Sequence, residues 1–179
     1  IAHLSQDPGL VGAFTAGDDI HAQTAARIFE VDADEVTVAQ RSTAKMVSYG
    51  LAYGMEAYGL GQRLSIPTGE AQVILDAYFE GFPNVRAYME GAVADAREKG
   101  YTETLFGRRR QIPELASRVR AVRQAGERQA MNAGIQGLAA DIFKLALVRL
   151  DRGLEDRGGT SRLILQVHDE VVLEVPPAD

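Results

Sequence analysis

The chain has 179 residues, of which 46% are hydrophobic and 25% are charged, and these proportions exclude a disordered or collagen-like protein. It contains no cysteine, which excludes disulfides and thiolate metal sites, and no apolar run of the ~18 residues that a membrane-spanning helix requires. We therefore expect a monomeric, cytoplasmic protein that has no membrane partner.

The formal net charge of −6 conceals an uneven distribution of charge along the chain. Residues 1–40 carry one arginine against seven acidic residues, whereas residues 97–128 carry nine basic residues against four acidic ones. Residues 151–179 are acidic again, with seven acidic and three basic residues. A basic centre between acidic ends is typical of a phosphate-binding surface. An ordinary solvated helix face is the alternative explanation.

Helical periodicity covers most of the first hundred residues. It predicts helices over 8–30, with a start at Asp18 and Asp19, and over 35–53. A glycine-rich joint at Gly54, Gly59 and Gly61 follows. The next predicted helices run from the N-cap Thr68 to about Phe79 and from about Asn84 to Lys99.

The second half of the chain predicts both helix and strand. A β-prone run over 101–104 and a turn over 106–110 precede a mostly helical segment over 115–151, which we expect to break at residues 151–153 and at 158–159. This helix carries its apolar residues on one face: Met131, Ile135, Leu138, Ile142 and Leu145. Two strand-like runs, 163–167 and 171–175, then predict one hairpin with His168 and Asp169 at its tip. The predicted fold class is α+β.

Residues 41–54 form the first candidate site. Arg41, Lys45, Tyr49 and Tyr53 follow one another at four-residue intervals, so a helix would place them in one stripe along its surface. The two cations could hold phosphates, and the two rings could lie against a sugar and a base. The alternative is an amphipathic helix whose cations are merely exposed.

Arg128, Asn132 and Gln136 form the second candidate site, because they share one face of the predicted helix over 115–151. Guanidinium and amide groups can donate hydrogen bonds to the acceptors that every base pair presents in the DNA minor groove. Such contacts would bind DNA without reading its sequence. A polar helix surface is the alternative.

His168, Asp169 and Glu170 form the third candidate site, at the predicted hairpin tip. Two carboxylates held by paired strands are suited to a hard cation such as Mg²⁺. Surface turns collect the same residue types, so a solvated turn is the alternative. The motifs of several other catalytic classes are absent from the sequence: the P-loop, the nucleophile elbow, H-E-x-x-H and C-x-x-C.

Taken together and in this order, these segments resemble the family A DNA polymerases, the bacterial DNA polymerase I group. Residues 41–54 match the pattern R-x-x-x-K-x-x-x-[FY]-G-x-x-Y-G, and residues 165–170 are similar to that family's last catalytic segment. Residues 100–110 and the segment with Arg128, Asn132 and Gln136 fall between them, where the family would have them. The resemblance covers essentially the whole chain.

The resemblance implies a mostly helical fingers subdomain, residues 26–125, inserted into a partial palm made of residues 1–25 and 126–179. The implied reaction is template-directed DNA synthesis, in which a nucleotidyl group passes from a deoxynucleoside triphosphate to a primer 3′-hydroxyl with two Mg²⁺ ions. The implied partners are primer–template DNA and deoxynucleoside triphosphates.

The same resemblance implies roles for the residues of the first site. Arg41 and Lys45 would contact the triphosphate of the incoming nucleotide, with His21 nearby. Lys45 would also be catalytic, as the proton donor to the leaving pyrophosphate. Tyr49 would lie against the sugar, and Tyr53 would lie where the templating base inserts.

For the second and third sites, the resemblance implies contacts to DNA and to metal. The residues implied to touch the primer–template duplex are Arg128, Asn132, Gln136 and His168. Asp169 and Glu170 would be catalytic, Asp169 as a ligand of Mg²⁺ and Glu170 close to it. Gly134 departs from the family pattern, which commonly has proline at this position.

The family's first catalytic segment carries the other metal-binding aspartate, and it would precede a stretch that resembles residues 1–5. We therefore expect the chain alone not to polymerise DNA. A non-catalytic primer–template-binding module is the alternative function, and a helical scaffold without a nucleic-acid role is a third interpretation. Polymerisation would require the stripe from Arg41 to Tyr53 and the hairpin tip at Asp169 to face one cleft.

Overall fold

The computed structural model describes residues 1–177. The chain divides into two compact units, a first unit Ile1–Ile135 and a second unit Gln136–Asp179. The subdomain boundaries expected near residues 25 and 125 stay predictions, because compactness alone does not assign a segment to a palm or a fingers subdomain.

The first unit is mainly helical. Its helices are α1 (Ala2–Ser5), α2 (Pro8–Ala16), α3 (Ile20–Phe29), α4 (Val38–Ala52), α5 (Ala57–Leu64), α6 (Thr68–Gly81) and α7 (Pro83–Lys99). The antiparallel strands β1 (Tyr101–Glu103) and β2 (Arg109–Gln111) follow, then a 3₁₀ turn, Pro113–Ala116, and the start of the long helix α8 (Arg120–Asp156).

The core of the first unit lies among α2 to α7. Leu60 is fully buried, and Tyr78 and Phe82 are each 1% exposed, with their ring centroids 5.1 Å apart. Burial raises the pKa of Tyr78 to about 12, and its hydroxyl shares a hydrogen bond with Ser48 of α4. The packing of α6 therefore holds α4, the helix that carries the first candidate site.

Polar side chains set the starts of several helices. Asp7 caps α2, and its second carboxylate oxygen accepts a hydrogen bond of 3.1 Å from the Asn84 N–H at the start of α7. Asp19 caps α3. Thr37 and Gln40 form a capping box at the start of α4, which satisfies backbone groups that have no partner within the helix.

The structure corrects several predicted boundaries. Thr68 is the first residue of α6 and not its N-cap, which is Pro67. The glycine-rich segment contains the helix α5, where a Cβ atom on Gly61 would lie 2.9 Å from the Ile66 carbonyl oxygen. The break expected at residues 151–153 is wrong, because α8 continues to Asp156. A single glycine costs a helix only about 1 kcal/mol relative to alanine, too little to end one.

The second unit contains the rest of α8 and the antiparallel strands β3 (Arg162–Val167) and β4 (Glu170–Glu174). Leu138 and Asp141 of α8 are buried, whereas Ile142 and the strand residue Ile164 are each 55% exposed. Residues 1–177 thus hold two antiparallel hairpins where the sequence predicted one. Helices and antiparallel hairpins together confirm the predicted α+β class.

Candidate functional site

One face of α4 is buried and the opposite face carries the predicted binding residues. Ala44 and Val47 are at most 1% exposed and pack into the core, whereas Tyr49 is 55% exposed. Arg41 and Lys45 are exposed on the same side as Tyr49. The core on one face therefore presents the predicted stripe to solvent on the other.

Tyr53 lies one residue beyond the end of α4. It is the C-cap and is 66% exposed. Gly54 follows with a φ of +67°, a left-handed conformation that glycine adopts without strain. A Cβ atom on Gly54 would lie 3.1 Å from Cβ of Arg128. The glycine therefore allows α8 to approach the end of α4 closely.

The start of α3 lies beside this stripe. The Arg41 Nε atom donates a hydrogen bond of 2.7 Å to Oδ2 of Asp19. The His21 ring centroid is 6.0 Å from that of Tyr49, and Lys45 Nζ is 5.8 Å from the same Tyr49 centroid. The structure thus brings together four residues that the sequence proposed for nucleotide binding and adds Asp19, which the sequence suggested only as a helix start.

These contacts shift the pKa values of Asp19 and His21. The hydrogen bond from Arg41 lowers the pKa of Asp19 to about 2, so this carboxylate is ionised at neutral pH. Partial burial, followed by the positive charge of Arg41, lowers the pKa of His21. The His21 Nδ1 atom is buried and has no hydrogen-bond partner within residues 1–177. This surface therefore offers two cations beside a neutral imidazole.

The second candidate site lies on α8. Arg128 Nη1 is 3.4 Å from Oε1 of Glu56. Asn132, one turn further along, has a buried Oδ1 atom that no hydrogen bond satisfies within the described part of the chain. Gln136 is the first residue of the second unit and is exposed. Arg128 and Asn132, both in the first unit, keep the four-residue spacing that places them on one face of the helix.

Gly134, the departure from the family pattern, has a packing reason in this structure. A Cβ atom at this position would lie 2.7 Å from the Tyr88 hydroxyl oxygen of α7. Burial raises the pKa of Tyr88. Tyr88 thus occupies the space beside α8 that a larger residue at 134 would need.

The third candidate site lies at the tip of the β3–β4 hairpin. Val167 pairs with Glu170, so His168 and Asp169 form the turn, as predicted. His168 has a φ of +54°, and its carbonyl oxygen accepts a hydrogen bond of 2.9 Å from Gln166 Nε2. His168, Asp169 and Glu170 are all exposed.

The hairpin tip fits part of a magnesium site. Mg²⁺ prefers oxygen ligands and is commonly held by one or two carboxylates together with water and substrate phosphates. Asp169 and Glu170 supply such carboxylates, while residues 1–177 assemble no group of three or more side chains that could hold a metal ion. The pair is therefore suited to a cation whose other ligands come from elsewhere.

A family model for DNA polymerase family A matches residues 1–179, the full chain. The chain belongs to DNA polymerase family A. It is 51% identical over 179 residues to DNA polymerase I of Mycobacterium tuberculosis (strain ATCC 25618 / H37Rv) and 49% identical over 176 residues to the thermostable DNA polymerase I of Thermus aquaticus. These alignments cover 100% and 98% of the chain but only 20% and 21% of those family A proteins.

A solved family A structure has the same fold. The POL domain of Pol1 from M. smegmatis, in complex with DNA primer-template and dNTP, matches with a TM-score of 0.92 and 52% identity. The match covers 98% of this chain and 31% of that one. The resemblance to family A DNA polymerases that the motifs indicated is thereby confirmed. Within residues 1–177, none of the helices has both the length and the apolar character to span a bilayer.

Proposed function

We propose that the complete protein carrying this chain performs template-directed DNA synthesis and that these residues supply its nucleotide-binding surface and one of its metal-binding segments. The observation that carries the proposal is the exposed group of Arg41, Lys45 and Tyr49 beside the imidazole ring of His21. Family membership supports the reaction, and the M. smegmatis relative was solved with DNA primer-template and dNTP.

In this proposal the first unit holds the incoming nucleotide. Arg41 and Lys45 bind the triphosphate, because a guanidinium can grip phosphate oxygens in pairs and an ammonium is a compact positive charge. Tyr49 lies against the sugar, and the exposed Tyr53 lies where the templating base inserts. His21 is uncharged at neutral pH and lies beside the ring of Tyr49. Lys45 also donates a proton to the leaving pyrophosphate.

The remaining roles concern DNA and metal. Arg128, Asn132 and Gln136 contact the duplex through its minor groove, and His168 contacts DNA near the primer terminus. Asp169 holds a Mg²⁺ ion, with Glu170 close to it. The chemistry that two bound Mg²⁺ ions supply is activation of the primer 3′-hydroxyl and stabilisation of the leaving pyrophosphate. That the stripe of α4 and the hairpin tip face one cleft stays a prediction.

Primer extension by the complete protein tests these roles. Lys45→Ala should lower kcat by about 10²- to 10⁴-fold, the usual contribution of a positioned proton donor. Asp169→Asn should lower kcat about 100-fold or more, because a metal ligand is lost. Matched controls are Lys99→Ala, an exposed lysine paired with Asp95 at 3.0 Å, and Asp156→Asn, an exposed carboxylate of the second unit. Full activity of both site variants would contradict the proposal.

A second candidate function is a non-catalytic primer–template-binding module, and we propose it for the isolated chain. The observation that favours it is the carboxylate pair at Asp169 and Glu170, which no third metal-ligating side chain joins within residues 1–177. The isolated chain should retard labelled primer–template DNA in a gel, and this binding should weaken as the salt concentration rises. It should give no primer extension. Extension by the isolated chain would contradict this expectation.

A further inference from the structure

One carboxylate, that of Asp19, serves both the start of α3 and the proposed triphosphate ligand Arg41. Its Oδ1 atom accepts hydrogen bonds from the backbone N–H groups of His21, at 3.0 Å, and Ala22, at 3.2 Å. Its Oδ2 atom accepts the bond of 2.7 Å from Arg41 Nε. The cap fixes Asp19 at the start of α3 and so holds its carboxylate beside Arg41.

Arg41 can exchange its partner Asp19 for another anion. The side chains of Arg41 and Asp19 are 45% and 46% exposed, and exposed ion pairs are weak because water and salt screen them. The hydrogen bond uses Nε of Arg41, and within the described residues its two Nη groups make no hydrogen bond. An incoming phosphate can therefore meet the guanidinium from its open side before the bond to Asp19 breaks.

The surroundings favour an anion of higher charge. Burial lowers the pKa of His21, and the positive charges of Arg41 and then Lys45 lower it further, so both cations lie within electrostatic reach of one imidazole. Within residues 1–177, Asp19 forms an ion pair with Arg41 and none with Lys45. A weakly charged anion gains little by displacing Asp19, whereas a polyphosphate can bind Lys45 and then exchange for Asp19 at Arg41.

We propose that Asp19 is an internal competitor for Arg41, which it holds in the nucleotide-free protein and yields to a polyphosphate ligand. The inference rests on the proposed function for its assignment of Arg41 to the triphosphate. Asp19 is then a residue that determines specificity: it raises the affinity that any anion needs in order to engage Arg41. It remains the cap of α3 throughout, so the exchange requires no unfolding of the helix.

The test uses the complete protein and inorganic tripolyphosphate, with the Kd measured by calorimetry at fixed ionic strength. Asp19→Asn removes the charge and retains a good N-cap residue, so α3 should be preserved. This variant should bind tripolyphosphate about two- to fivefold more tightly, the effect expected from releasing one exposed ion pair. Arg41→Ala should abolish the gain when combined with Asp19→Asn, because the competitor acts only through Arg41.

Asp18→Asn is the matched control. It removes one carboxylate at the adjacent position, whose nearest polar partner is Gln23 at 3.4 Å rather than Arg41. Its Kd should stay close to that of the wild type, because Asp18 forms no ion pair with Arg41 within residues 1–177. Thermal unfolding of all variants checks that no change in Kd reflects loss of structure.

Two results would overturn the inference. Weaker or unchanged binding by Asp19→Asn would show that Asp19 orients Arg41 for the ligand or does nothing for it, and no binding by any variant would remove the anion site. Primer extension separates this from failure of the proposed function. An inactive wild type with the expected shift in Kd would refute DNA synthesis alone, whereas an active wild type without the shift would refute the competitor role alone.

Discussion

The two compact units differ in how their candidate residues are held. In the first unit, a core that includes Leu60 and Tyr78 lies behind the face of α4 that carries the binding stripe. In the second unit, the hairpin exposes apolar side chains, with Leu165 at 54% and Ile164 at 55%. The stripe is thus positioned by packing, whereas the tip at Asp169 is positioned chiefly by the pairing of β3 with β4.

The difference implies that the same kind of substitution has different consequences in the two units. Packing in a core is dense, so a change of one side chain there affects many neighbours. An isolated two-stranded hairpin gains little from burial and depends on backbone hydrogen bonds and on cross-strand pairs such as Arg162 with Glu174, at 2.8 Å. Substitutions in the core of the first unit should therefore disturb the stripe of α4 through the fold, and substitutions of the exposed hairpin side chains should have smaller effects on the stability of the isolated chain.

The largest expected effect comes from the same change, leucine to alanine, made at one position in each unit. Leu60→Ala should lower the free energy of unfolding of the first unit by about 2–5 kcal/mol, because a fully buried leucine leaves a cavity. Leu165→Ala should change the stability of the isolated chain by about 0.5 kcal/mol or less, because that side chain is 54% exposed in it. Hydrogen exchange of amides in α5 and β3 of the isolated chain measures both effects. Equal losses would remove the contrast between the units.

Two glycine-to-alanine substitutions should change the free energy of unfolding in opposite directions. Gly54→Ala should destabilise the first unit by about 1–2 kcal/mol, because its φ is +67° and the new methyl group would meet Arg128. Gly153→Ala should stabilise α8 by about 0.4–1 kcal/mol, since open space surrounds that position. Urea unfolding of the isolated chain, followed by hydrogen exchange in each unit, gives the sign of each effect. A stabilising Gly54→Ala would show that the close approach of α8 is unimportant.

The smallest expected effect concerns pH and is confined to the first unit. Arg41 lowers the pKa of Asp19 from 3.8 to about 2, so their pairing contributes stability above pH 3.8. This contribution should disappear as the pH falls towards 2, when Asp19 is protonated in the folded protein. Carbon-13 NMR of the aspartate carboxyl groups follows the titration. Arg41→Ala should return the midpoint towards the ordinary value, and an unshifted midpoint in that variant would contradict the assigned cause.

Local signals in the sequence determined several elements correctly. The four-residue spacing from Arg41 to Tyr49 predicted the exposed face of α4, because helical periodicity is a property of the backbone itself. The polar pair His168 and Asp169 between two β-rich runs predicted the hairpin tip, because two β-prone runs around a short polar segment are a local signal of a hairpin. The motifs in these segments also sufficed to identify the family, which the match over residues 1–179 confirms.

Tertiary structure decided what depends on residues far apart in the chain. Asp19 and Arg41 pair across 22 positions, and Gly54 lies against Arg128 of α8; no periodicity within one helix predicts either contact. The helix α5 was missed because its glycines disfavour a helix locally, while burial of Leu60 stabilises it in the fold. Propensity acts over a few residues, whereas packing free energy depends on which surfaces meet, and only the folded chain specifies that.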